Sequence, residues 1–322
     1  MTRIYCGIDL GGTSAKLALG DSTGKIIASD SFSTQSDGRP DAVIASIEQH
    51  VQKLLRKAGA DSLAGLGMGV PGLVDVQEGE TRFLPNLPTQ WRDIPVARNL
   101  SRVLDCPVRL MNDVRTATLG ELRFGSGKDS PRDSFAFFSI GTGIGGGIVI
   151  DGKLRLGPLG AAGELGHQTM LPDGPRCGCG NRGCLETLSS GPAIAAEGMR
   201  LMRMGLAPRL HALTGGATDR VTAKEMALAA AEDPLIDGAI ERAFEFLGIA
   251  AANVVTVLHP DRIVLGGGVS EIGDRLHRTV KRVISERVGM FPTARIRVIC
   301  SPLGERAGLQ GALALAIASA DD

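Results

Sequence analysis

The feature that most limits what this chain can fold into is a pattern that occurs twice. Residues 4–10 and 14–19 are apolar or alternating stretches on either side of Gly11 and Gly12, and Phe135–Ile140 and Ile144–Ile150 flank Gly141–Gly143 in the same way. Each reads as two β-strands joined by a tight glycine turn. A third strand is predicted over 25–31, completing an antiparallel meander. A helix follows over 41–57, where Val43, Ile44, Ile47, Val51, Leu54 and Leu55 recur at helical spacing. Strands over 65–70 and 108–111 and a helix over 114–124 continue the alternation. Beyond the second strand pair, residues 189–258 read as mostly helical. A strand over 262–265, a helix over 270–288, a strand over 296–299 and an Ala/Leu-rich helix from Ala307 follow. This duplicated plan predicts two similar α/β lobes facing each other across a cleft. With 322 residues, each lobe is large enough to bury its own core. The expected division is a small N-terminal lobe of residues 1–116 plus 304–322, and a larger C-terminal lobe of residues 117–303 that carries a cysteine-rich loop.

The charge balance narrows the choice of partner. Lys plus Arg and Asp plus Glu both number 35, so no basic excess points to nucleic acid or a membrane surface. A small molecule is the expected partner. No targeting segment is legible at the N-terminus and no run of eighteen apolar residues occurs, which places the protein in the cytoplasm as an expectation. Glycine, at 44 residues against 3% aromatics, is in excess and directs attention to the turns.

Asp9, Gly11, Gly12 and Thr13 form DLGGT at the first turn. Missing β-carbons there let backbone N–H groups and the Thr13 hydroxyl approach an anionic phosphate, while the Asp9 carboxylate positions hydrated magnesium. Taken alone, the segment is equally explained as a hairpin turn. Gly141, Thr142 and Gly143 repeat the arrangement, and two such turns in two lobes grip a triphosphate from both sides. Gly266, Gly267 and Gly268 stand between a strand and a helix, either as a backbone passing close to a bound nucleoside or as a tight connection. Lys16 is a phosphate contact or a solvent-facing strand residue. Two other motifs fail on context. Gly141, Gly143 and Gly146 satisfy GxGxxG, but a strand follows where the dinucleotide fingerprint requires a helix. GSGKDS around Lys128 lacks the P-loop's first glycine and its Ser or Thr after the lysine.

His167, Cys177, Cys179 and Cys184 gather one imidazole and three thiols in a Gly- and Pro-rich segment, a set that suits tetrahedral zinc. With all four positions filled by protein, such an ion is structural. Cys6, Cys106 and Cys300 lie in apolar contexts and read as core residues.

Asn112 and Asp113 stand where a strand gives way to a helix, at the edge where α/β lobes place their chemistry. Transfer of a phosphoryl group to an alcohol needs an in-line hydroxyl, a base for its proton, and positive charge and dipoles on the phosphates. Asp113 meets the base requirement, and it equally meets the requirement for a helix N-cap. Carboxylates and amides such as Glu164, Glu186, Asn86 and Asn112 suit the hydroxyls of a neutral polyol, with His167 donating through its remaining ring nitrogen.

Taken together these segments resemble the ROK family of repressors, open reading frames and sugar kinases, and its bacterial glucokinases in particular. The resemblance spans essentially the whole chain. It rests on DLGGT at 9–13, VPG at 70–72, PNLP at 85–88, MND at 111–113, GTGIGGG at 141–147, ELGH at 164–167, CGCGNRGCLE at 177–186 and GGGVS at 266–270. It implies an α/β, two-lobed actin-like ATPase fold (hexokinase-type, ribonuclease H-like). It also implies ATP and Mg2+ as cosubstrates, structural Zn2+ on His167, Cys177, Cys179 and Cys184, and a homodimer. It assigns Asp113 as the base and Gly72, Asn86, Asn112, Glu164, His167 and Glu186 as the sugar site, with the three glycine turns holding the nucleotide. Glucose is the expected sugar, and mannose, N-acetylglucosamine, N-acetylmannosamine or fructose the alternatives. A sugar-sensing regulator is a further alternative. Regulators of this family carry a helix-turn-helix domain before the first glycine turn, where this sequence has eight residues ahead of Asp9.

Overall fold

The structure, a computed structural model, describes residues 3–34 and 38–320. The chain divides into two compact units, Met1–Arg132 with Asp151–Gly163 and Glu305–Asp322, and Asp133–Ile150 with Glu164–Gly304.

The first unit opens with the antiparallel meander β1 (Tyr5–Leu10), β2 (Ser14–Gly20) and β3 (Ile26–Ser33). Helix α1 (Pro40–Ala58) buries the six apolar residues expected from its spacing. It stops at Gly59, whose left-handed backbone returns amide groups to the last free carbonyls. Strand β4 (Gly65–Val70) pairs parallel with β1 and is buried along its whole length. The hairpin β5 (Leu73–Asp75) and β6 (Glu80–Phe83), then helix α2 (Val96–Leu104), lead to β7 (Val108–Asn112), which pairs parallel with β4. Sheet order is β3-β2-β1-β4-β7, and α3 (Asp113–Phe124) follows β7 with no linker.

The second unit repeats the plan with β8 (Phe135–Ile140) and β9 (Ile144–Ile150), antiparallel about a glycine turn. A short strand β10 (Lys153–Arg155) lies in the segment assigned to the first unit. The helical stretch comprises α4 (Glu186–Ser189), α5 (Gly191–Arg203), α6 (Pro208–Thr214), α7 (Ala223–Ala229) and α8 (Pro234–Leu258). Strand β11 (Arg262–Gly266) then pairs parallel with β8. Helix α9 (Asp274–Arg287) precedes β12 (Arg297–Cys300), which pairs parallel with β11, so that these strands run β9-β8-β11-β12.

Helix α10 (Ala307–Ser319) returns to the first unit. It is apolar on nearly every side because it is covered on nearly every side, by the sheet and by α3. Glycine makes both contacts possible. A β-carbon on Gly67 of β4 would stand 2.2 Å from the Ala312 carbonyl oxygen, and one on Gly311 would stand 1.8 Å from that of Thr116 in α3. Backbone therefore meets backbone where side chains ordinarily intervene.

Several expectations are corrected. A division at residue 116 falls inside α3, which packs on α10 as one piece, so the first unit runs on to Arg132 and takes back 151–163, and the later boundary follows Gly304. The continuous helix expected over 270–288 is broken at Gly273, whose φ of +117° separates a 3-10 turn over Gly268–Ile272 from α9. Cys6 and Cys106 are core thiols, and burial pushes Cys106 up to about 11. Cys300 is exposed, because it ends β12, the outer strand of its sheet. Among the described residues no helix is long and apolar enough to cross a membrane.

Gly311→Ala is expected to cost at least about 3 kcal/mol, since neither backbone at that crossing can yield to a methyl group. Gly238→Ala, in α8 with its nearest neighbour 3.7 Å away, is expected to be neutral or stabilising by up to about 1 kcal/mol. Thermal and urea unfolding of the two variants checks the contrast.

Candidate functional site

Within the first unit the DLGGT turn, the PNLP loop, Gly72 and the Asn112–Asp113 pair are connected by packing and hydrogen bonds. The Gly11 amide donates to the Ser14 carbonyl at 2.8 Å, closing the turn between β1 and β2, and Thr34 ties down its outer side through Gly11 and Thr13. Gly12 lies directly on the Asn86 backbone, with room for no side chain, because a β-carbon there would come within 2.5 Å of the Asn86 carbonyl oxygen. The PNLP loop is anchored further along by Trp91. Its indole is buried and its Nε1–H donates to the Gly38 carbonyl at 2.8 Å. Asn86 and Thr13 themselves are exposed, as is Lys16, which pairs in register with Asp9 across the hairpin.

Burial raises the carboxyl pKa of Asp9, and the Lys16 charge opposes that rise. The first turn of α10 contributes to the burial, since a β-carbon on Gly308 would stand 2.7 Å from Asp9 Oδ2. Burying a carboxylate with no hydrogen bond among the described residues costs stability, and it suits a group whose partner is a ligand.

At the end of β7 the cap of α3 is Asn112. Its Oδ1 accepts from the Val114 and Arg115 amides at 3.0 and 3.2 Å, and its Nδ2 donates to the Gly72 carbonyl at 3.2 Å. Asp113 is thus the first helical residue and not the cap, although its Oδ1 also accepts from the Val114 amide at 2.9 Å. Asn112, expected to face a sugar, spends its oxygen on the helix, so that one Nδ2–H is what remains for a ligand. Gly72 has φ of +145° and sits 2.3 Å, measured from an ideal β-carbon, from the Phe83 carbonyl oxygen.

The second unit gathers the other candidates around the glycine turn between β8 and β9. Gly141 N–H donates to the Gly143 carbonyl at 2.9 Å, and the first residue of α5, Gly191, donates to the Gly141 carbonyl at 2.9 Å. Gly266 ends β11 beside Ser139. Gly267, with φ of +82°, is pressed against Ile140, and Gly268 starts the 3-10 turn, so two of the three glycine turns are immediate neighbours. Thr142 and Gly268 face solvent. Strand β9 follows Gly143, as the rejection of a dinucleotide fingerprint requires.

Glu186 joins this turn to the cysteine loop. Its Oε2 accepts from the Ile144 amide at 2.8 Å, directly behind Gly143, and Cys177 Sγ lies 3.9 Å from its Oε1. His167, Cys177, Cys179 and Cys184 bring their ligand atoms within 4.8 Å of one another. Cys177 Sγ is 3.6 Å from His167 Nδ1, and Cys179 Sγ is 3.7 Å from Cys184 Sγ. A tetrahedral zinc with bonds of about 2.3 Å to sulfur and about 2.05 Å to nitrogen sets the sulfur–nitrogen edge at about 3.6 Å and the sulfur–sulfur edge at about 3.8 Å, so the four residues fit the ion. A disulfide of about 2.05 Å is excluded by the same separation. Burial pushes the Cys184 thiol up to about 12 and raises that of Cys177, while the Asn181 amide lowers that of Cys179. The other ring nitrogen of His167 faces Glu164, with Nε2 3.9 Å from Oε2, and Glu164 is exposed.

Sequence reasoning missed Arg115, Trp91 and the bond from Glu186 to Ile144. A lone Trp in an exposed polar loop is a usable signal of an anchor, whereas the buried role of Arg115 has none.

Comparison with known proteins follows the same lines. The ROK family profile matches residues 5–319. A glucokinase of Thermotoga maritima is 32% identical over 96% of this chain and 96% of its own. An N-acetylmannosamine kinase of Vibrio cholerae is 32% identical over 88% of this chain and 90% of its own. A xylose repressor of Caldicellulosiruptor bescii is 29% identical over 97% of this chain and 77% of its own. Among solved structures, the ROK family glucokinase of Streptomyces griseus in complex with glucose and AMPPNP superposes with a TM-score of 0.80 at 30% identity, covering 97% of this chain and 99% of that one. The two-lobed fold expected of such kinases is thereby shown for this chain.

Asp9 yields a stability test. Its folded pKa is raised, so above the unfolded carboxyl range near 4 the native state carries a cost that grows as pH rises through the folded value. Asp9→Asn is expected to raise the melting temperature at pH 7, with the gain vanishing below about pH 4. Melting curves across that range check the sign.

Proposed function

Because the chain belongs to the ROK family, we propose that it is a glucokinase, transferring the γ-phosphoryl group of ATP to the 6-hydroxyl of glucose with Asp113 as general base. The observation that carries the reading is the placement of Asp113. It is the first residue of α3, directly after an asparagine cap that is itself bonded to Gly72, in the unit that also holds Asn86 and the DLGGT turn. Asp113 takes the hydroxyl proton as the sugar oxygen bonds to phosphorus and the bond to the ADP oxygen breaks, giving glucose 6-phosphate and ADP. Gly11, Gly12 and Thr13 offer backbone and hydroxyl donors to phosphate oxygens, with Lys16 as a nearby cation. Gly141, Thr142 and Gly143 offer the same kind of turn, and Gly266, Gly267 and Gly268 a backbone without side chains for the nucleoside. Mg2+, when bound, neutralises phosphate charge, and the carboxylate of Asp9 is suited to hold its hydration shell.

Glu164, His167 and Glu186 are assigned to sugar hydroxyls together with Gly72, Asn86 and Asn112. Zn2+ on His167, Cys177, Cys179 and Cys184 fixes the loop that carries Glu186 and orients the free nitrogen of His167. A cytoplasmic homodimer with no nucleic-acid partner completes the reading, supported by the family resemblance and by a net charge of zero.

A second reading keeps the chemistry and changes the sugar, and it is favoured by the Vibrio cholerae N-acetylmannosamine kinase matching at the same 32% identity as the Thermotoga maritima glucokinase. Phosphorylation of glucose, mannose, N-acetylglucosamine, N-acetylmannosamine and fructose with magnesium ATP separates the two, with kcat/KM for glucose expected to lead. Another sugar ahead establishes the second reading. Sugar binding without turnover of any sugar favours a regulator, the class of the xylose repressor. Asp113→Asn is expected to keep sugar affinity while kcat falls by about a hundredfold or more, and unchanged turnover removes Asp113 as base.

Elemental analysis of the purified protein is expected to find about one zinc per chain. Its removal by a chelator is expected to lower the melting temperature, whereas metal-free protein with unchanged stability and activity contradicts a structural ion.

A further inference from the structure

Arg115 is the one arginine of α3's first turn and is 1% exposed. A charged group is costly to bury, so its partners indicate what the cost secures. Nε donates to the Ala162 carbonyl at 2.9 Å, Nη2 to the Ala161 carbonyl at 2.8 Å, and Nη1 to Asn112 Oδ1 at 3.2 Å. The planar fork thus spans two unlike elements. One is the cap that fixes Asp113 at the start of the helix. The other is the glycine-rich segment LGPLGAAG at 156–163, which follows β10, carries no helix or strand of its own and leads straight into Glu164. Backbone carbonyls two and three residues before Glu164 are therefore tied to the same oxygen that caps α3. Lysine has the charge but not the fork and cannot reach all three acceptors in one geometry.

We infer that Arg115 is a positioning residue, which sets the placement of Asp113 through Asn112 and the path of the chain into Glu164 through Ala161 and Ala162. This rests on Asp113 being the base. Its loss lowers turnover by misplacing groups that remain present, because small displacements of a reacting group cost rate steeply.

The test uses the full chain with Arg115→Met and Arg115→Lys, reading amide hydrogen exchange by peptide and turnover per sugar-binding site, with sites counted by calorimetry so that unfolded protein is excluded. In Arg115→Met, exchange in the peptides covering 113–116 and 161–164 is expected to rise at least about tenfold, with β1 and β4 protected as before. kcat per site is expected to fall by about ten- to a hundredfold with KM for ATP within about twofold, and Arg115→Lys to recover part of both losses. Unchanged exchange in both segments, or unchanged kcat per site, overturns the inference. If Arg115→Met does not unfold cooperatively, the same two readings on Arg115→Lys decide it. If the parent protein phosphorylates no sugar, the kinase reading fails by itself, and the exchange data still decide whether Arg115 holds the two segments.

Discussion

The close packing of α10 against glycine is the contact on which the first unit depends. This helix contributes almost no polar surface, so it must be enclosed, and it is enclosed by a sheet formed early in the chain and by α3. Because Gly67 and Gly311 remove the side chains at the crossing points, the helix axis settles closer to both neighbours than ordinary core residues permit. Two functional consequences follow from one contact. The first turn of α10 lies against the Asp9 carboxylate through Gly308, and the middle of α10 fixes α3, whose first residue is Asp113. The glycine excess of the composition therefore serves packing as well as turns.

Much of this was legible beforehand because the signals were periodic. The six apolar residues of α1, the buried strand β4 and both glycine-turned hairpins follow from spacing alone. The spacing of His167, Cys177, Cys179 and Cys184 pointed to one cluster, and their ligand atoms do lie within 4.8 Å of one another. What escaped was short or non-periodic. Strands β5, β6 and β10 have three or four residues each, too few for an alternation to show, and α2 spans only nine. The break at Gly273 lay inside a sequence that otherwise reads as one helix, and a glycine's φ cannot be read from its neighbours. The unit boundary was misplaced because α3 belongs with α10, a partner nearly two hundred residues away in sequence.

The same division holds at the candidate site. Within the first unit the motifs pointed to segments that do touch, such as Gly12 and Asn86, but not to how neighbouring residues divide the work. Asn112 and Asp113 both fit a cap and both fit a ligand contact, and only the hydrogen bonds assign the cap to Asn112 and leave Asp113 as a helical residue. Glu186 fits a sugar hydroxyl on chemical grounds, yet one of its oxygens already holds the Ile144 amide behind the glycine turn, so it links that turn to the cysteine loop as well. Arg115 gave no signal at all, since a charged residue at the start of a helix is ordinarily a solvated one.

Whether Asp113 receives the proton of the phosphorylated sugar hydroxyl is decided by a crystal structure of the protein with glucose and AMPPNP. An Asp113 carboxylate oxygen is expected within about 2.6–3.2 Å of the glucose 6-hydroxyl. Glucose bound with its 6-hydroxyl on a different group, and Asp113 turned away from it, would remove Asp113 as the base.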